Sequence, residues 1–207
     1  MVAYPISKPP PGLLLQNGDH MNRFEFHRRY EESDIERAEL IEGVVYVSSP
    51  LRMREHGRPD GLLGTWIGTY AARHADLSFA HNSTVYLDND NEPQPDIMLW
   101  RQSGQAVETI DGYLRGAPEL VVEISASSAS IDLHEKLNAY RRNGVKEYIV
   151  WRVLDGALDW FVLVEGAYVP LAPGADGIFE SREFPGLRLD VTRLLEGDLA
   201  AVLAAVR

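Results

Sequence analysis

The chain of 207 residues carries 31 acidic against 20 basic side chains, a formal charge of -11 at pH 7, with 45% apolar residues, 25% charged residues and no cysteine. That balance fits one ordinary globular domain long enough to bury a core. It excludes disulfides, thiolate zinc sites and cysteine nucleophiles, and it opposes a nucleic-acid partner unless basic residues cluster or a metal neutralises the site.

Pro5, Pro9, Pro10, Pro11 and Gly12 make residues 1–22 a flexible lead, so a single domain is expected over 23–207. The lead lacks the charged-then-apolar pattern of a signal peptide, and no run approaches the ~20 apolar residues of a membrane span. A cytoplasmic protein with no membrane partner is expected. Residues 24–38 read as a helix with a ragged apolar stripe (Phe24, Tyr30, Ile35), and Gly43 to Ser48 as a β-branched strand ending at Pro50. Pro59 suits the first turn of a helix over 55–74, along which Leu62, Leu63, Trp66, Ile67 and Tyr70 fall at helical spacing.

Residues 77–87 read as a strand, Asp88 to Pro93 as a turn, and 96–100 as the next strand. A glycine-punctuated loop spans 102–116, and Leu120 to Ser125 is a short apolar strand suited to a buried central position. Asp132 and Glu135 fit a capping box for a helix over 132–143, which Asn143-Gly144 stops. A strand at 148–151, a hairpin over 158–171 turning at Glu165-Gly166, and an amphipathic helix from about 191 complete the chain. The order predicts an α/β fold, a mixed sheet flanked by helices with an added β-hairpin.

Three residues stand out from this background. Asp96 follows Pro95 at the start of a strand, and Glu123 interrupts the apolar run Leu120-Val121-Val122-Glu123-Ile124. An acid in such a run is expensive to bury without a partner or a metal; otherwise it faces solvent. If the two strands pair, both carboxylates converge at one sheet edge, where a hard cation such as Mg²⁺ needs few protein oxygens beside water and phosphate. Lys136 lies about 60° off the buried face set by Leu133, Leu137 and Tyr140. From there it can reach the sheet edge and supply positive charge near an attacking water, or pair with Asp132 on a solvated face.

Ordered pieces of sequence carry a family resemblance. They are Ala38-Glu39-Leu40-Ile41-Glu42-Gly43 with Ser49-Pro50; Glu55-His56-Gly57; Pro95-Asp96-Ile97; Pro118 to Ser125; Asp132, Lys136 and Tyr140; and Gly144 to Val150. Together they resemble the Uma-type restriction-endonuclease-like family, a branch of the PD-(D/E)xK nuclease superfamily, over roughly residues 24–170. The resemblance implies a restriction-endonuclease-like core and a Mg²⁺ (or Mn²⁺) site made by Asp96, Glu123 and the backbone carbonyl of Ile124. Lys136 stands in for a lysine that other branches place two residues after the glutamate, where this chain has Ser125. DNA is the implied substrate, and a homodimer would suit a double-strand cut. Glu39 resembles an accessory acid for a second metal or a water, although its own surroundings read as an exposed helix end. His56 resembles a helix-start histidine that contacts substrate or caps the helix.

The chain departs from the family at Ser125-Ala126-Ser127-Ser128 and at Trp151, which keeps a non-catalytic binding or regulatory role on the same scaffold open. Other motifs fail on their own terms. Asp88 to Leu99 lacks the glycine and the final glutamate of a calcium loop, and the serines at 125–130 lack a nucleophile elbow. No His-Glu-x-x-His pattern or glycine-rich phosphate loop is present.

Overall fold

A computed structural model describes residues 14–207. Of the expected lead, 1–13 lie outside the described residues. From Leu14 onward the chain already packs: Leu15 is buried, and His20 bridges Val44.

Helix α1 (Arg23–Glu31) is capped by the Asn22 side chain and ends seven residues before the expected boundary. The difference arises because Ala38 to Ile41 is not helical. It forms strand β1 (Ala38–Ile41), which pairs antiparallel with β2 (Val44–Val47). The turn between them places Glu42 and Gly43 at φ 52° and 76°, the left-handed geometry that two-residue hairpins require. Ala38 and Leu40 face a small core with Phe26 and Leu15, so alternation turns Glu39 to the opposite side.

Helix α2 (Arg58–Ala71) continues directly from a π-type turn (Met53–Gly57). The expected strand at 77–87 is two strands, β3 (Leu77–His81) and β4 (Val85–Tyr86), separated where Asn82 adopts φ 47°. Strand β5 (Ile97–Arg101) follows the Pro95-Asp96 entry. The expected loop at 102–116 contains β6 (Val107–Glu108) and β7 (Leu114–Arg115), which join β4 in a small sheet.

Strand β8 (Leu120–Ser125) is buried along its whole length. The helical stretch after it begins earlier than expected, with α3 (Ala129–Ile131), a second π-type turn (Asp132–Lys136) and α4 (Leu137–Asn143), and Gly144 closes it at φ 86°. Asp132 is therefore inside the helix and caps nothing. Strands β9 (Glu147–Arg152), β10 (Ala157–Val164) and β11 (Ala167–Pro170) come next. The small pair β12 (Phe179–Glu180) and β13 (Arg188–Leu189) leads into α5 (Val191–Glu196) and α6 (Leu199–Ala204). The single expected C-terminal helix is thus two, broken at Gly197, which takes φ 78°.

The main sheet has the order β11-β10-β9-β8-β5-β3. Only the β8–β9 pair is parallel, joined by the α3–α4 crossover; the rest are antiparallel. The hairpin is an extension of the sheet rather than an appendage. On one face, Leu63, Trp66, Ile67 and Tyr70 of α2 pack with Leu120, Val122 and Ile149 and with the C-terminal helices. On the other, Tyr140 of α4 packs with Val121, Tyr148 and Val150. By strand alternation Glu123 and Ser125 share the α4 face with Val121. None of the helices among the described residues is long and apolar enough to cross a membrane.

Candidate active site

Asp96 sits just before β5, and the register of Ile97 against Val122 brings it beside Glu123. Its carboxylate is held on every side. One oxygen accepts from the Ile124 backbone N–H at 2.7 Å; the other is 2.9 Å from Arg37 Nη2 and 2.9 Å from His56 Nε2. Burial alone would raise its pKa, but the His56 contact and the Arg37 and Lys136 charges outweigh it and bring the carboxyl down to about 2. Asp96 is ionised throughout the physiological range. His56, expected as a substrate contact or a helix cap, is buried in the first π-type turn and serves Asp96.

Glu123 is 2% exposed, so the solvent-facing alternative for it falls away. Its Oε1 accepts from Lys136 Nζ at 3.1 Å and from the Tyr140 hydroxyl at 2.7 Å. Burial, helped by the Asp96, Asp132 and Glu39 charges and opposed by Lys136, pushes its pKa well up.

Lys136 is 4% exposed, which removes the solvated-face reading. Besides Glu123, its ammonium meets Glu39 Oε1 at 2.9 Å and Asp132 Oδ1 at 3.7 Å. Burial disfavours its charge, yet the three carboxylates prevail and keep it protonated well beyond the ordinary lysine range. The π-type turn explains why straight-helix geometry put Lys136 only at the flank. A wider turn rotates the residues it contains relative to the helix that follows.

Glu39 is neither exposed nor at a helix end. It projects from β1, is buried, and also accepts the Gln94 N–H at 2.7 Å. Ser125 lies on the Glu123 face, but its hydroxyl is committed to Asp132 Oδ2 at 2.5 Å, which also accepts from Ser128 at 2.6 Å. The structure thus gathers Asp96, Glu123, Lys136, Glu39 and His56 around one cleft of about 600 Å³, with Ser125 one hydrogen bond behind it.

Three further residues belong to this cluster. Asp132 and Tyr140 stood in the ordered sequence pieces, one turn before and one turn after Lys136. Arg37 carried no signal, since its partner lies 59 residues away.

Four buried carboxylates, Glu39, Asp96, Glu123 and Asp132, therefore face two permanent cations, Lys136 and Arg37. No three metal-ligating side chains among the described residues stand in a ready coordination group. The reason is visible: both Asp96 oxygens are hydrogen-bonded, and Lys136 occupies the space between the glutamates. The donors are nonetheless all hard oxygens with surplus negative charge beside an open cleft, which is the chemistry a divalent Mg²⁺ or Mn²⁺ ion requires.

Comparison with known proteins bears on the fold and the family. A crystal structure of "a putative nuclease belonging to DUF820" from Anabaena variabilis ATCC 29413 superposes with a TM-score of 0.63, covering 77% of this chain and 90% of that one at 14% identity. At that identity the likeness speaks for the fold alone, a mixed sheet flanked by helices. No curated protein matches. Residues 24–192 match the model of the Uma2 family, described as "Putative restriction endonuclease". With most of its length inside that match, the chain belongs to the Uma2 family.

Proposed function

We propose that the protein is a metal-dependent endonuclease that hydrolyses DNA phosphodiester bonds. Asp96, Glu123 and the Ile124 carbonyl would hold Mg²⁺ or Mn²⁺. The observation that carries this reading is the group of four carboxylates compensated by too few cations at an open cleft, within a nuclease family. A bound divalent ion lowers the pKa of a ligated water and offsets charge on the phosphoryl oxygens.

The chain's own residues supply the remainder. His56 and Arg37 fix the Asp96 carboxylate in one orientation and keep it ionised. Lys136 presents a permanent positive charge where the nucleophilic water and the developing oxyanion need it. Glu39 and Asp132 hold that ammonium in place, and Tyr140 fixes one oxygen of Glu123. Hydrolysis forms a bond from water oxygen to phosphorus and breaks the bond to the leaving sugar oxygen, which takes up a proton. A homodimer, with two such sites, suits cutting of both strands.

Incubating the protein with plasmid or single-stranded DNA in Mg²⁺ or Mn²⁺ should give cleavage, which Asp96→Ala should reduce by at least about a hundredfold. Equal cutting by wild type and Asp96→Ala would sink the proposal. The full commitment of Asp96 to hydrogen bonds inside the protein favours a second reading, a non-catalytic binding protein on the same scaffold. That reading loses if Mg²⁺ raises the melting temperature and Glu123→Gln abolishes the rise.

A further inference from the structure

The chain is acidic overall, and it uses most of its arginines against its own carboxylates. Arg28, Arg37, Arg101, Arg142, Arg152 and Arg188 all sit in ion pairs. Eight arginines are in no ion pair among the described residues, and three of them cluster between Ser48 and Arg58. Arg52, Arg54 and Arg58 are exposed, and among the described residues none of the three forms an ion pair with a carboxylate within 4.0 Å. This segment forms a wall of the carboxylate cleft: Leu51, Arg52, Glu55 and His56 line it. Arg52 and Arg54 therefore present two exposed guanidinium groups, free of internal carboxylate partners, at the rim of the cleft.

The apolar groups at the same place are equally out of keeping. Leu51 is 54% exposed, Met53 is 68% exposed, and Leu154, which lines the cleft from the turn after β9, is 69% exposed. Aliphatic side chains interleaved with guanidinium groups match a strand that offers phosphates and accessible base faces. The turn that carries Arg54 also opens a helix whose N-terminus has no side-chain cap, so its free N–H groups add to the positive potential.

We propose that Ser48–Arg58 is the docking element for the DNA strand. Arg52, which lines the cleft, and Arg54 bind phosphates, while Leu51 and Leu154 take base faces at the mouth of the cleft; the Arg58 guanidinium lies against Gly197 and takes no part. The substrate is then DNA with exposed bases, either single-stranded or locally unpaired, in preference to a continuous duplex. The element explains how a chain of charge -11 approaches a polyanion: the attraction is local, and the rest of the surface repels. The inference rests on the nuclease reading for the identity of the ligand, but not on its chemistry.

The test uses the full chain and a fluorescein-labelled 20-nucleotide strand, free or in duplex, with anisotropy measured in EDTA and in Ca²⁺ over a salt series. The double charge reversal Arg52→Glu, Arg54→Glu should weaken single-strand binding tenfold or more, and should flatten the slope of log K against log salt by about 1.4. Arg52→Lys, Arg54→Lys should keep most of the affinity. Arg115→Glu, Arg182→Glu makes the same change in net charge away from the cleft and should have little effect. Leu51→Ser should reduce the preference for single strand over duplex. Unchanged melting temperatures would establish that the variants are folded.

Equal losses from the cleft pair and the remote pair would overturn the proposal, as would tighter binding of duplex than of single strand. If wild type cuts DNA but the cleft reversal leaves binding unmoved, the docking element is wrong and the nuclease reading survives. If the cleft reversal abolishes binding but wild type never cuts in Mg²⁺ or Mn²⁺, docking stands and catalysis does not.

Discussion

Lys136 carries more of this site than any other side chain. Its ammonium is buried and is the shared neighbour of Glu39, Glu123 and Asp132. Replacing it with methionine keeps the volume of the stem and removes the charge. The three buried acids would then face one another without their shared cation, and breaking such a pair costs about 3–5 kcal/mol. A divalent ion supplies the same compensation from outside. We therefore expect Lys136→Met to melt lower than wild type without metal, and to gain more from 10 mM Mg²⁺ than wild type does. Thermal melts with and without Mg²⁺ measure both; an equal or smaller metal-induced rise in the variant refutes the idea that lysine and metal neutralise one cluster. The principal acids were legible in the sequence for a related reason. Glu123 interrupts an apolar strand, where burial of an acid demands a partner, and Asp96 stands at a strand entry after proline. Arg37 was not legible, because its role depends wholly on a contact far along the chain.

At the scale of the element, the site is built by one strand pair and two π-type turns. Strands β5 and β8 set the carboxylates side by side, and their apolar runs made them readable as buried strands. The turns were not readable, since an extra residue per turn leaves no mark on an apolar stripe so short. Yet they place His56, Asp132 and Lys136, and without them the lysine stays at the helix flank. The β1–β2 hairpin was half readable: Val44 to Val47 is β-branched and aromatic, but Ala38 to Ile41 has helical composition and is extended only by its pairing. Because Glu123 and Ser125 share a face, a lysine at position 125 would reach the same cluster from the strand. Lys136→Ala should abolish cleavage, and adding Ser125→Lys to it should restore a measurable fraction, on the order of 1–10% of wild type, at the catalytic step. Restoration by Ser125→Lys, but not by Ser125→Met, would mark the charge rather than the packing as the active feature. A folded double variant with no recovered turnover would show that the ammonium must come from the helix.

Across the whole molecule, charge is distributed with a consequence for stability. The main sheet and its helices were foreseeable from their alternation, and β4 fell inside a stretch that read as strand, but its partners β6 and β7 and the contact between Glu92 and β1 were hidden inside segments that read as loop and turn. Glu92 exchanges backbone hydrogen bonds with Leu40, and its side chain is fully buried. His27 Nδ1 lies 2.8 Å from one oxygen, while the other has no hydrogen-bond partner and is 4.0 Å from Arg23. Burial raises the carboxyl to about 7, although His27 and Arg23 pull it down. Unfolded, it titrates near 4.5. Between those values the folded protein holds a proton that the unfolded chain releases, so the contribution of Glu92 to stability is greatest below about pH 4.5 and falls as pH rises to 7. The full span corresponds to about 3 kcal/mol from this one group. Asp96 has the opposite sign, but its window lies below its unfolded value of 3.8 and does not overlap. Glu92→Gln removes the titration while keeping a side chain of the same shape. In guanidinium unfolding between pH 4.5 and 8, wild type should lose stability relative to Glu92→Gln as pH increases, and the difference should level off above about 7.5. Parallel pH profiles for the two proteins would mean that Glu92 is ionised in the fold, with Arg23 and His27 as its effective counter-charges.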